Sequence, residues 1–313
     1  MYIEKATTDK QNLEVGETTP GLTLRGLTVH LRLVDYATIS YLAVIAGLLV
    51  FFHPGVPQWP YLVLGHIVGI GLLLAYIDFA EKRSSKVVTF FRDVYPFFLY
   101  TFFFIEVSKI VNILFPFWLE PYLISFDQFL FGNHPTVWLQ RIFSPGLSEL
   151  MAFSYWSYYI LLPMTGLILY SRKDRSLYFS FVFNLSLTLY ICYFSYLFLT
   201  ARGPHETLEF LHIEREMAGF FDHMVKTIQN NASVSGAAFP SSHVAAVWVA
   251  LFFLFRFKKW LGLIVTPLVL ALSFSVVYMQ YHYAVDSIAG ILLVCGTYPL
   301  GTFLERQFHR VPA

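Results

Sequence analysis

The chain has 313 residues, 57% of them hydrophobic and 13% charged, with a formal net charge of +1 and a mean hydropathy of +0.59. A water-soluble domain carries about 25% charged residues, and its core has no room for 33 Phe and 20 Tyr beside the usual aliphatics, whereas lipid does. The net charge says nothing about nucleic acid, but no basic stripe or nucleic-acid motif appears and no nucleic-acid partner is expected; Cys192 and Cys295, both inside apolar runs, read as small core residues rather than a disulfide or metal pair.

Residues 1–35 are mixed polar, without signal-peptide character, and read as a tail. A bilayer core needs about 20 apolar residues per helix. Eight runs qualify: 36–53, 60–79, 94–115, 149–170, 177–199, 241–256, 260–280 and 284–303, the sixth being short. The expected fold is therefore all-α, a polytopic membrane protein of about eight transmembrane helices. Glu106 and Lys109 interrupt the third run on one helical face, placed either to pair with each other or to lie near the membrane edge. The 116–148 stretch is too apolar for a free loop, and Trp118, Phe126, Phe129, Phe131 and Trp138 predict short helices in the interface, one of which Asp127 is placed to cap or orient. The small, polar run 229–238 reads as a mobile loop. The chain divides into the tail 1–35, two accessory helices in 36–93, a six-helix core in 94–303 and a second tail, 304–313.

Lys and Arg alternate between the connections. Lys5, Lys10, Arg25 and Arg32 precede the first span; Lys82, Arg83, Lys86 and Arg92, then Arg172, Lys173 and Arg175, then Arg256, Lys258 and Lys259, mark every second loop, and Arg306 and Arg310 follow the last span. Between them, 54–59 and 281–283 carry none, 116–148 carries Arg141 alone, and the long 200–240 connection carries Arg202, Arg215 and Lys226. Both termini are expected in the cytoplasm, with 116–148 and 200–240 outside.

Three polar clusters then fall at the outer level. Pro240-Ser241-Ser242-His243 opens the sixth span, where free N–H groups, two hydroxyls and an imidazole make an anion site. His282 and Asp286 open the last span four residues apart, so the carboxylate can hold the imidazole in one tautomer and stabilise its cation. Arg202, just after the fifth span, offers a planar fork for phosphate.

These residues resemble the type 2 phosphatidic acid phosphatase superfamily, and within it the inositol phosphorylceramide synthase-like branch. The likeness rests on PSSH at 240–243, HYAVDSIAG at 282–290, Arg202 in place of an upstream arginine motif and, more weakly, Asp127 to Gly132. The resemblance implies that 94–303 is a phosphatase or phosphotransferase core. It implies that His282 attacks phosphorus to form a phosphohistidine, Asp286 orients it, His243 protonates the leaving oxygen, and Arg202, with Ser241 and Ser242, holds the phosphate. No cofactor or metal is expected if Arg202 and backbone N–H groups neutralise the charge. Two departures point towards transfer: Ser275 and Val276 stand where the phosphatase pattern has Ser-Arg, and Ser195 replaces a Lys ahead of Arg202, with Gly203 intervening before Pro204. His205, Lys226 and the serines of 233–241 are the candidate substitutes for that missing charge. The implied partners are membrane lipid and a phospholipid, sphingolipid or polyprenyl phosphate substrate. The alternatives are a polyprenyl diphosphate phosphatase and, from another class, a proton- or anion-coupled transporter using His243 and His282, against which the lack of an internal repeat weighs.

Overall fold

The computed structural model describes residues 21–24, 27–115, 117–213 and 219–308. Residues 1–20, Arg25, Arg215 and 309–313 lie outside the described residues. A two-stranded antiparallel hairpin, β1 (Gly21–Leu24) and β2 (Leu27–His30), precedes an otherwise helical chain. The helices are α1 (Leu33–Phe52), α2 (Trp59–Glu81), α3 (Lys86–Ile110), α4 (Glu120–Phe131), α5 (Pro135–Trp138), α6 (Pro145–Trp156), α7 (Tyr158–Tyr170), α8 (Ser176–Phe198), α9 (Pro204–Thr207), α10 (Phe220–Ala232), α11 (Ser242–Phe257), α12 (Lys259–Tyr278) and α13 (Ala284–Phe308).

All eight expected spans are helical. Six of them, α1, α2, α3, α8, α12 and α13, are long and apolar enough to cross a membrane. The fourth is broken: α6 and α7 meet at Ser157 with a bend of 42°. The sixth, α11, has 16 residues. It is about 24 Å long, shorter than a hydrocarbon core of about 30 Å. The protein is an all-α integral membrane protein.

Two helices form the centre. The buried side chains of α8 and α11 point in all directions, as expected of helices enclosed by other helices. Ala245, Ala246 and Ala250 leave room on α11 for its neighbours, and at Gly290 of α13 a Cβ would sit 2.6 Å from the Ser241 carbonyl oxygen. At the outer side of α1, α2 faces mostly away from protein, with Tyr61, Leu64, Ile67 and Leu72 exposed, as lipid contact requires.

The charges within the spans are paired across helices. Glu106 is buried with its carboxylate 3.4 Å from His66 Nε2 of α2, while Lys109 is exposed. This corrects the Glu106–Lys109 pairing: a buried carboxylate among apolar helices takes a partner on the neighbouring helix, while the long Lys side chain reaches outward. At the end of the bundle away from His243 and His282, Asp35 accepts two bonds from Arg92 and one from Tyr95, and Asp93 accepts from Arg32, Arg175 and Tyr170. This network ties α1, α3, α7 and α8 together.

Within 117–148 the expected short helices are present as α4 and α5. Phe126, Phe129 and Trp138 on α4 and α5 are exposed. The 229–238 run differs from its expectation. Residues 229–232 belong to α10, and 236–238 are clamped by Ala201 N–H to Gly236 O (3.2 Å) and Ala238 N–H to Ala201 O (3.0 Å). Backbone pairing with a segment 35 residues earlier orders a stretch whose own side chains are too small to do so.

Candidate active site

Three turns meet at one end of the bundle: the exit from α8, the entry to α11, and the α12–α13 connection. Val276 O accepts the N–H groups of both Tyr281 and His282 (3.1 and 3.0 Å), and His205 N–H donates to Gln280 O (3.0 Å). Ser241 N–H donates to Asp286 O (3.1 Å), which joins the starts of α11 and α13. Gly203 permits the closest approach, since a Cβ there would lie 2.5 Å from Tyr281 O.

His282 is buried, and its Nδ1 lies 2.9 Å from Ala238 O and 3.3 Å from Asp286 Oδ2. A carbonyl oxygen only accepts, so Nδ1 carries the hydrogen and Nε2 keeps its lone pair. Asp286 Oδ2 also accepts Tyr283 N–H at 2.9 Å, while Oδ1 is buried without a hydrogen-bond partner among the described residues. His243 faces His282 with ring centroids 6.1 Å apart. Its Nε2 lies 3.3 Å from the Tyr155 hydroxyl, which accepts a hydrogen bond from the Gln229 amide. No local sequence signal links Tyr155 to His243, 88 residues away.

A cavity of about 170 Å³ holds both imidazoles together with His205, Ser242 and Ser233. It continues between Thr101 and Ile105 of α3 and Tyr158 and Tyr159 of α7. Helix α10 lies over it through Ile228 and Gln229. Glu149 of α6 holds that helix by accepting the N–H groups of Phe221 (2.9 Å) and Asp222 (3.1 Å), a cap supplied from another helix.

The expected phosphate-binding residues divide. Ser242 lines the cavity. Ser241 does not: it is fully buried, and its hydroxyl caps α11 by accepting Val244 N–H at 3.5 Å. Arg202 is likewise not among the lining residues. Its Nε donates to Glu120 Oε1 at 2.5 Å and its guanidinium stacks on Trp118 at 4.5 Å, which turns it to the rim. The reason is that buried Glu120 requires a cation partner and Arg202 is the one beside it. Lys226 also falls outside the lining, whereas His205 lies within it. His205 Nδ1 is buried without a hydrogen-bond partner among the described residues, its Nε2 is 3.8 Å from Glu206 Oε1, and burial lowers its pKa below the ordinary 6.5. The positively ionisable groups lining the cavity among the described residues are thus three imidazoles, beside one carboxylate, Glu206. The N–H groups at the start of α11 add partial positive charge.

Asp127 occupies a place its sequence did not reveal. Its two oxygens accept the N–H groups of Ala284 (3.0 Å) and Val285 (2.9 Å), so it caps the transmembrane helix α13 rather than an interfacial one. Burial raises its pKa, and the two backbone bonds oppose the rise. Ser275 is buried and bonded to Leu272 O, so nothing in the Ser275-Val276 positions replaces the absent arginine's charge. Among the described residues no cluster of three or more His, Cys, Asp or Glu is arranged to hold a metal ion.

The family model described as the PAP2 superfamily matches residues 121–300, more than half of the chain. No curated protein matches the chain, and no solved structure does.

Proposed function

The chain belongs to the PAP2 superfamily, and from that premise we propose that it is a lipid phosphatase or phosphotransferase that works through a phosphohistidine at His282. The superfamily supports a membrane enzyme of phosphatase or phosphotransferase type acting on lipid phosphate. The observation that carries the finer reading is the pairing of His282, its Nδ1–H turned to Ala238 O, with His243 across one cavity.

In this reading a phosphoryl group sits between the two rings. His282 Nε2 forms the N–P bond while the bond from phosphorus to the leaving oxygen breaks, and His243 gives that oxygen its proton. A phosphate anion beside His243 favours the protonated ring needed for this step. Asp286 offsets the positive charge that grows on His282. An acceptor O–H then attacks phosphorus, passes its proton to His243 and releases His282. The start of α11, Ser242 and His205 stabilise the phosphoryl oxygens, and Arg202 acts from the rim. No metal enters this scheme. The lipid tail follows the cavity between α3 and α7.

Water as acceptor makes the enzyme a phosphatase, and an alcohol makes it a transferase. The Ser275-Val276 departure and the Asp127 motif favour the inositol phosphorylceramide synthase-like branch, with phosphoinositol or another headgroup passed to a lipid. The alternation of Lys and Arg between the loops supports a site on the non-cytoplasmic face with both termini in the cytoplasm.

The test is a brief exposure to lipid labelled with ³²P in the transferred group. An acid-labile protein label that His282→Ala abolishes supports the scheme; free phosphate then marks hydrolysis and a new labelled lipid marks transfer. Turnover that survives His282→Ala refutes it.

A further inference from the structure

At the other end of the bundle, a second cavity of about 520 Å³ opens between the starts of α1 and α8 and the ends of α11 and α13. Three arginines line it: Arg32, Arg256 and Arg306. Helices α8, α11 and α13 run from here to the catalytic end, so the two cavities are separated by one helix length, roughly 25–35 Å. Residues 32–34 and 302–308 of its wall lie outside the family match at 121–300.

The arginines differ in their commitments. Arg32 donates to Asp93 Oδ1 at 2.7 Å and stacks 4.3 Å over the Phe179 ring, which fixes its guanidinium in the wall. Asp93 is already shared with Arg175 and Tyr170, and Asp35 is taken up by Arg92 and Tyr95. Arg256 and Arg306 have no carboxylate within ion-pair distance among the described residues. The one carboxylate in the lining, Glu305, accepts the Asn184 amide at 3.1 Å. Ser180 Oγ, in the lining as well, is buried and has no hydrogen-bond partner among the described residues. Leu33, Val34, Leu177 and Phe183 supply apolar wall below these groups.

Surplus guanidinium charge, an unused hydroxyl and apolar flanks in one concavity match an anion that carries hydrocarbon. Guanidinium forks suit phosphate oxygens in particular. We propose that this cavity binds a phosphate-bearing anion, the headgroup of an anionic phospholipid, between Arg32, Arg256 and Arg306. The binding is separate from the catalytic reading and stands without it. In the orientation proposed above, the cavity opens to the cytoplasmic leaflet, where anionic lipids concentrate.

Native mass spectrometry of the full chain, titrated with phosphatidylglycerol and separately with phosphatidylcholine, tests this. The wild type should retain phosphatidylglycerol selectively, and the double variant Arg256→Gln/Arg306→Gln should weaken that retention roughly 30-fold. Arg256→Lys/Arg306→Lys should recover most of it. Arg172→Gln/Lys173→Gln, which removes two exposed charges at the same end but outside the cavity, should change it less than about threefold. A parallel arm measures the thermal unfolding midpoint with inorganic phosphate: a rise that needs Arg256 and Arg306, without lipid selectivity, assigns the site to a free anion. An unchanged midpoint without phosphate shows that the Gln variant is folded. Equal phosphatidylglycerol retention by wild type and Gln variant, or an equal loss in the Arg172/Lys173 control, overturns the proposal.

Discussion

Removing the charge of Asp286 while keeping its shape isolates its contribution to the proposed reaction. In Asp286→Asn the amide oxygen can still accept the N–H of Tyr283 and Nδ1–H of His282, the two bonds now made by Oδ2. Ala238 O holds the His282 tautomer independently at 2.9 Å. The variant therefore loses the carboxylate's attraction for the developing imidazolium and little else. At 3.3 Å, and with an effective dielectric constant of about 20, that attraction is about 5 kcal/mol for a full charge. Because the charge is only part-formed in the transition state, the expected loss is about 3–4 kcal/mol, or roughly 10²- to 10³-fold in the rate of phosphoenzyme formation. Oδ1 is buried without a hydrogen-bond partner among the described residues, and an amide N–H₂ left unsatisfied in its place costs about 1–3 kcal/mol in stability. Rapid-quench measurement of labelled protein, alongside thermal unfolding, reads both quantities. A rate within threefold of wild type would show that the carboxylate does not stabilise the cation. Total loss of the adduct, matching His282→Ala, would show that Asp286 rather than Ala238 sets the tautomer.

Four further outcomes follow from the same geometry. Asp127→Ala removes the cap of α13 and should cost about 1–2 kcal/mol of stability while slowing phosphoenzyme formation; an unchanged unfolding midpoint would contradict the capping role. Tyr155→Phe frees His243 Nε2 and Gln229 and should slow adduct formation about tenfold, most for poor leaving groups, whereas a changed KM alone would make Tyr155 a substrate contact. Turnover should persist in excess EDTA, and its loss with recovery on adding a divalent cation would refute charge neutralisation by imidazoles and helix N–H groups. His212 sits 3.2 Å from Thr136 Oγ1, and burial lowers its pKa from 6.5 to about 4. The folded state thus binds fewer protons than the unfolded one between these values. Its stabilising contribution is complete above about pH 6.5 and is lost as pH falls towards 4. Hydrogen exchange across 208–213 should accelerate over that interval, and His212→Asn should flatten the dependence.

The spans were legible because lipid imposes a local rule. Each crossing segment must satisfy its own backbone, so a run of about 20 apolar residues announces a helix wherever it lies. Even the short sixth run emerged as a helix of the expected extent, α11, and its opening Ser-Ser-His placed an imidazole at a helix start. His282 and Asp286 do meet, but His282 stands in the turn before α13, which starts at Ala284, so the contact comes from the turn rather than from a shared helical face. The differences have one source. The resemblance and the chemistry of its planar fork put Arg202 on phosphate, and Glu120 and Trp118, more than 80 residues earlier, turn its guanidinium to the rim. The sequence places Glu106 either to pair with Lys109 on its own helix or to lie near the membrane edge, and the structure buries it beside His66 of another helix.

What the sequence determined by itself was therefore the membrane-spanning, all-helical character of the chain and the level at which its polar clusters stand. Both follow from one-dimensional patterns of hydropathy and helical period. Only the tertiary structure decided that Ala238 O selects the His282 tautomer, that Asp127 caps α13, that Tyr155, itself bonded by Gln229, holds His243, and that three arginines surround a cavity at the opposite end. Each of these is a contact between segments remote in the chain. It exists because burial leaves a polar group no water to bond, so it takes whichever partner the packing of other helices brings near.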